Sequence, residues 1–218
     1  MKTPNNWDYG GAINRYPIKP GEVWGNENLL VQVYDLREKC LPDFMEKADC
    51  VFVDPPWNVG NVNSFITKAD RSDHMARYVD FADILLWTLQ QIRPEVVYLE
   101  MGKEYMPSWH EHLRALYQRV TFFNSTYYHK KDCLCYVIRA TNRRPKDDIK
   151  PKLDGMDEED IIKWVCENER FNIIADPCMG RGLVGKYALA AGRKCVGTEL
   201  NPKRLACLLE AVQAERIS

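Results

Sequence analysis

Residues 54–57 read Asp54-Pro55-Pro56-Trp57 and follow the apolar run Cys50-Val51-Phe52-Val53. A short apolar run rich in β-branched and aromatic residues reads as a buried strand. An acid, two prolines and an aromatic at the carboxyl end of such a strand make a rigid hydrogen-bond acceptor beside a flat stacking surface. Gripping an exocyclic amino group on a planar heterocycle requires both features. The plainer alternative is a strand-ending turn with a packed tryptophan.

A second constellation occupies residues 173–182, where Ile173-Ile174-Ala175-Asp176 leads into Pro177-Cys178-Met179-Gly180-Arg181-Gly182. The two glycines permit a tight turn and close approach of a ligand to the backbone, and the helix that follows opens with unpaired N–H groups. About twenty residues on, the next strand ends in Glu199, an acid able to accept both ribose hydroxyls of a nucleoside cofactor. The Gly-x-Gly turn by itself reads as structural. The order strand, turn, helix, strand, acid points to a cofactor site.

The tetrapeptide resembles the catalytic motif of the amino-methyltransferases, which transfer a methyl group from S-adenosylmethionine to an amino nitrogen of adenine or cytosine. The continuation Asn58-Val59-Gly60 is similar to the DNA adenine members. Residues 173–182 and the strand ending in Glu199 resemble that family's Asp-Pro-Phe-x-Gly-Ser-Gly turn and following strand. Cys178 stands where Phe is common and Arg181 where a small hydroxyl residue is common. Arg181 is left either on the methionine carboxylate of the cofactor or in solvent. The catalytic motif precedes the cofactor motif, the permuted order of β-type DNA amino-methyltransferases. Lys150-Pro151, a helix over 157–169, and Tyr34-Asp35, where the family places an acid for the cofactor's adenine, fit the same arrangement.

The resemblance implies S-adenosylmethionine as cofactor and Asp54, Pro55, Pro56 and Trp57 as catalytic residues. Around the cofactor it implies Asp35, Asp54, Lys150, Asp176, Pro177, Cys178, Gly180, Gly182, Glu199 and Asn201. Toward the substrate it implies Asn58, Lys130, Lys131, Arg143 and Arg144. DNA is the expected partner, RNA the alternative, and a homodimer a further expectation.

These residues need a scaffold, and the chain alternates strand and helix patterns from Leu29 onward. Strands are expected at 29–34, 50–54, 95–101, 172–176 and 194–199. Helices are expected at 75–92, where apolar residues recur at the helical period, and at 108–119, 157–169, 183–191 and from Asn201-Pro202, a capping side chain followed by proline in the first turn. Residues 121–128 and 133–141 read as an antiparallel hairpin. The expected class is α/β, a Rossmann-like methyltransferase fold: a mostly parallel sheet with an antiparallel hairpin and helices on both faces. Residues 1–28 read as an extended arm without regular structure. Residues 29–218 read as a single domain with a catalytic half over 29–141 and a cofactor half over 150–218. Residues 58–74 read as a polar loop.

The 218 residues suffice for one large domain, and 45% hydrophobic against 28% charged residues describes a globular chain. No apolar run is long enough to cross a bilayer and no signal peptide is visible, so a cytoplasmic protein is expected. The eight cysteines include no C-x-x-C pair, and His110, His112 and His129 lack metal spacing, so neither a disulfide framework nor a metal site is expected. Net charge is −1, yet residues 127–152 carry eight basic against three acidic side chains. That strip is either a solvated loop or a phosphate-contacting surface.

Sequence-specific members of the family carry a recognition insert between hairpin and cofactor half. Here only residues 142–156 fill the gap, so no separate target-recognition domain is expected. Three readings follow: a DNA adenine methyltransferase of short or relaxed specificity; an enzyme acting on RNA or a free nucleotide, or at cytosine N4; and a non-catalytic subunit that binds nucleic acid or a partner. The intact Asp54, Gly180, Gly182 and Glu199 speak against the last.

Overall fold

Five short strands form the centre of the molecule, and their sequences explain why both faces are covered. A computed structural model describes residues 9–127 and 129–217. In it β2 (Leu29–Val33), β3 (Cys50–Val53), β4 (Val96–Met101), β7 (Ile173–Asp176) and β8 (Lys194–Glu199) run parallel, in the order β4-β3-β7-β8-β2. The hairpin of β5 (Arg119–Tyr127) and β6 (Lys130–Thr141) adds antiparallel to β4. On the other side β1 (Val23–Asn26) pairs antiparallel with β2, and β9 (Glu215–Arg216) with β1. Among the described residues this makes one nine-stranded sheet, and the protein has an α/β fold.

Side chains alternate along each strand, so each strand feeds two cores. Val51, Val53, Val97 and Leu99 pack on one face with α2 (Val59–Lys68), α3 (Tyr78–Ile92) and α4 (Met106–Leu116). Cys50, Phe52, Val96 and Tyr98 pack on the other with α5 (Glu158–Asn168), α6 (Leu183–Ala190) and α7 (Pro202–Val212). Fully burying each such aliphatic or aromatic side chain contributes roughly 1.5–3 kcal/mol, which makes these two cores the main source of stability.

Two expectations are corrected. Residues 1–8, with Trp7, lie outside the described residues, but 9–28 are not an extended arm. They form a 3-10 turn at Tyr9–Gly11, the short helix α1 (Ala12–Arg15) packed against α7, and the strand β1. A polar, glycine-bearing sequence hid this short strand, because the ladders of β2 and β9 supply pairing that composition does not advertise. Residues 58–74 are not a loop throughout. Asn58 caps α2 by accepting the Asn61 N–H at 2.9 Å, and Val62 and Ile66, four residues apart, bury their side chains. Gly60, Asn61 and Asn63 masked that short apolar stripe.

One buried ion network anchors the return from the hairpin. Glu169, fully buried, accepts from Tyr98 Oη at 2.7 Å, Arg139 Nη2 at 2.9 Å and Arg143 Nη1 at 2.5 Å. Arg139 also pairs with Asp148 at 2.6 Å. Removing the central acid leaves two guanidinium groups without their counter-charge. Glu169→Ala is expected to lower stability by about 3–5 kcal/mol, read as a lower urea midpoint with unchanged slope. Glu169→Gln should lie between the variant and the wild type.

Candidate active site

Parallel strands deliver their carboxyl ends to one edge of the sheet. β3 delivers Asp54-Pro55-Pro56-Trp57, its neighbour β7 ends in Asp176 and delivers Pro177 to Gly182, β8 ends in Glu199, and β2 leads to Asp35. The strand order reverses between β3 and β7, where crossovers leave in opposite directions and open a crevice. A cleft of about 1080 Å³ runs along this edge, lined by Asp35, Asp54, Trp57, Asp176, Gly180 and Glu199 among others.

The Asp54 carboxylate holds two donors. Trp57 Nε1 donates to Oδ1 at 3.0 Å and Tyr127 Oη to Oδ2 at 3.2 Å. The two rings meet edge to face with centroids 5.2 Å apart. Beneath the indole lies Gly102, where a Cβ would stand 2.7 Å from Trp57 Cε3, so glycine there is what lets the ring lie against the chain after β4. Burial pushes Asp54 up to about 6, against the pull of the Trp57 and Tyr127 hydrogen bonds and the charge of Arg204.

The opposite wall is built from the β7–α6 turn. Asp176 accepts the Cys178 N–H at 3.0 Å, and burial raises it well above the usual carboxylate range. Glu199 Oε2 accepts the Gly180 N–H at 2.6 Å and Oε1 the Asn201 N–H at 2.9 Å. Each of its oxygens keeps a second lone pair for a ligand. Gly180 has φ +57, and a Cβ there would meet the Arg204 guanidinium at 2.6 Å. Asp35 reaches the cleft with its carboxylate paired to Arg37 at 2.7 Å and Arg71 at 2.9 Å. Pro55, Pro56, Pro177 and Cys178 line the same cleft. Its buried acids suit a ligand that brings hydrogen-bond donors or positive charge.

Several expected site residues do not line this cleft. Gly182 packs against α7, where a Cβ would meet Leu208 at 2.6 Å. Asn201 is buried as the cap of α7, donating to the Lys68 carbonyl, and Asn58 is the cap of α2. Lys150 is exposed on the segment that follows β6. Arg143 does not face solvent: its side chain is 8% exposed and pairs with Glu169 and Glu95. β6 runs opposite to β4, with Tyr136 against Met101 and Thr141 against Val96. Arg143 and the exposed Arg144 therefore sit at the amino edge of the sheet, about 16 Å of strand from the cleft edge. Lys130, at the hairpin tip, is exposed toward the cleft edge, and the Lys131 side chain lies outside the described residues. The basic strip is thus split between opposite edges of the sheet, and part of it is structural.

No sequence pattern singled out Tyr127, Glu100, Phe65 or Arg204, all of which line the cleft. Tyr127 arrives there through the β4–β6 register, Glu100 through alternation on β4. Arg204 lies with its guanidinium 4.7 Å from the Phe65 ring centroid and 3.9 Å from Glu199. An acid on a buried strand is a signal that could have flagged Glu100, whereas nothing local marks Arg204. Among the described residues no helix is long and apolar enough to cross a membrane.

No family model and no curated protein matches the chain. Solved structures do. M1.HpyAVI is 12% identical with a TM-score of 0.60, over 84% of this chain and 98% of that one. TTHA0409 of Thermus thermophilus, complexed with S-adenosyl-L-methionine, is 15% identical with a TM-score of 0.56, over 83% and 91%. The PvuII DNA methyltransferase, cytosine-N4-specific, is 14% identical with a TM-score of 0.54, over 87% and 89%. At these identities the likeness is one of fold.

The donors on Asp54 have a measurable consequence. A hydrogen bond to the charged form lowers a carboxyl's pKa, so its loss raises it. In carboxyl carbon NMR titrations Asp54 is expected to titrate near 6, and higher in Tyr127→Phe. An unchanged value in Tyr127→Phe would show that the hydroxyl does not bond the carboxylate in solution.

Proposed function

We propose that this protein transfers a methyl group from S-adenosylmethionine to the exocyclic amino group of adenine in DNA. The observation that carries the reading is the juxtaposition in one cleft of Asp54, with its two aromatic donors, and the Asp176–Gly180–Glu199 wall. The shared fold with S-adenosyl-L-methionine-bound TTHA0409 and with a DNA methyltransferase supports it.

The cofactor supplies an electrophilic methyl carbon on a cationic sulfur. Glu199 would hold the ribose hydroxyls and the turn at Gly180 would take the cofactor close to the backbone. Asp54 and the Pro55 carbonyl would accept the two amino protons, orienting the nitrogen lone pair toward the methyl. As positive charge builds on that nitrogen, the Asp54 carboxylate stabilises it, an electrostatic effect aimed at the transition state. Trp57 would stack on the base, and Tyr127 fixes the Asp54 carboxylate. Water can take the proton after transfer. In a duplex the amino group is paired, so the base must be flipped out.

The segment between β6 and α5 is pinned by the Arg139–Asp148 and Arg143–Glu169 pairs. This argues for a short recognition sequence, since reading several base edges takes a surface that enters a groove. Lys103, just beyond β4, and Lys130 are exposed at the cleft edge and are the candidates for phosphate contact. Cytosine N4 is the second reading, favoured by the shared fold with the cytosine-N4-specific enzyme.

Asp54→Ala is expected to lower kcat by about 100- to 1000-fold while calorimetry shows near-normal cofactor affinity. Near-normal turnover by the folded variant would overturn the mechanism. Methyl transfer should fall on the acid side as Asp54 protonates through about 6, because the neutral acid loses the charge that stabilises the transition state. Replacing both Lys103 and Lys130 with Ala should weaken DNA binding and flatten its salt dependence, while Arg144→Ala should not. Mapping the modified base on treated DNA and RNA decides the substrate: methylcytosine moves the reading to N4, and modification of RNA alone removes DNA.

A further inference from the structure

Glu100 lies near the end of β4 with its side chain 1% exposed, and it lines the same cleft as Asp54. Val53 of β3 is in register with Leu99 of β4, so the next residues on the two parallel strands are Asp54 and Glu100, which share a face of the sheet. Among the described residues its Oε1 has no hydrogen-bond partner, while the Cys135 thiol bears on the same carboxyl group. A buried polar atom without a partner calls for an explanation, and a ligand that completes it is one. Glu100 also stands outside the steps assigned to Asp54, Trp57 and Glu199.

Acids and a thiol surround it. Asp54 faces it from β3, Cys135 from β6, and Glu158 and Asp157 from α5. The ligating atoms of Glu100, Cys135 and Glu158 lie within 4.8 Å of one another, all buried. Burial first, and then the charges of Asp54, Glu158 and Asp157, push Glu100 well above the usual carboxylate range. Two buried carboxyls side by side repel each other when both are charged, so the pair favours one ionised acceptor and one neutral acid, the pattern that separates roles in a site. A neutral carboxyl carries an O–H donor as well as an acceptor oxygen.

The exocyclic amino group of adenine adjoins N1, a bare acceptor; in cytosine it adjoins N3, also an acceptor. We propose that Glu100 reads the target base by donating its carboxyl O–H to the ring nitrogen beside the amino-bearing carbon, while Asp54 accepts from the amino group itself. This rests on the methyl-transfer reading above. The pair of acids then selects rings that present a donor and an acceptor side by side, and it rejects thymine and uracil, which carry a carbonyl in place of the amino group and an N–H at ring N3.

The test replaces single atoms of the base. On oligonucleotides carrying 1-deazaadenine, in which N1 is a C–H, wild-type kcat/KM is expected to fall about 100-fold relative to adenine. On 7-deazaadenine, altered on the opposite flank of the amino group with N1 left intact, it should change little. Glu100→Leu should be slow on adenine and should lose the 1-deaza discrimination, and Glu100→Gln, whose amide N–H can donate, should retain most of it. Comparing base and side-chain changes together removes the intrinsic effect of the analogue on amine reactivity. Equal 1-deaza discrimination in wild type and Glu100→Leu, or no discrimination in the wild type, overturns the role of Glu100 while leaving methyl transfer standing. Stoichiometric zinc binding by the wild type, lost in Glu100→Gln, would assign the Glu100, Cys135 and Glu158 trio to a cation and overturn it as well. No transfer by the wild type to adenine or cytosine overturns the methyl-transfer reading and, with it, this role.

Discussion

The pairing of β3 with β7 is the interaction on which the rest of the molecule depends. It is a short parallel ladder, Cys50 against Ile174 and Val51 against Ala175. It joins segments more than a hundred residues apart and puts Asp54 beside Asp176. Parallel pairing requires that both strands end on the same edge, so two acid–proline turns open into one crevice. The rest of the sheet extends this arrangement: β8 and β2 add Glu199 and Asp35 on one side, and β4 with the hairpin adds Glu100 and Tyr127 on the other.

The second constraint is the handling of buried charge, which differs between the two edges of the sheet. At the amino edge, acids and bases pair fully: Glu169 and Asp148 meet Arg139 and Arg143 with Tyr98 between. Such a cluster fixes geometry, holding the segment after β6 against the sheet. At the carboxyl edge Asp54, Glu100 and Asp176 form no ion pair among the described residues. Asp54, Glu100 and Asp176 are all raised by burial, and Arg204 is the cation that bears on Asp54 and Asp176. An excess of desolvated acid is costly unless a ligand with donors or positive charge completes it. That contrast separates the scaffold from the site.

Trp57 illustrates how the site is held rigid. Its indole N–H is committed to Asp54, its edge meets Tyr127, and its face rests where Gly102 leaves room. A stacking surface fixed on three sides loses little conformational entropy when a base meets it. The same contacts hold the Asp54 carboxylate in one orientation, so the groups proposed to act on an amino nitrogen are preorganised before it arrives.

The sequence by itself determined the α/β class, the five parallel strands, α3 to α7 within a few residues, and the two motifs at Asp54–Trp57 and Asp176–Glu199. These are local properties: apolar runs, a helical period, Asn201-Pro202 at a helix start, and an acid at the end of a strand. It misread β1 and α2, because a four-residue strand holding Gly25 and Asn26 takes its definition from the ladders of β2 and β9 on either side, and a short stripe such as Val62 and Ile66 is diluted by Gly60, Asn61 and Asn63. Only the tertiary structure decided which basic residues face the cleft. Antiparallel pairing of β6 with β4 sends Arg143 and Arg144 to the far edge while bringing Tyr127 onto Asp54. Strand register likewise brought Glu100 beside Asp54 across 45 intervening residues. A chain's local pattern fixes what each segment becomes. Which side chains share one cleft depends on strand direction and register, and those are set by contacts between segments that the sequence keeps apart.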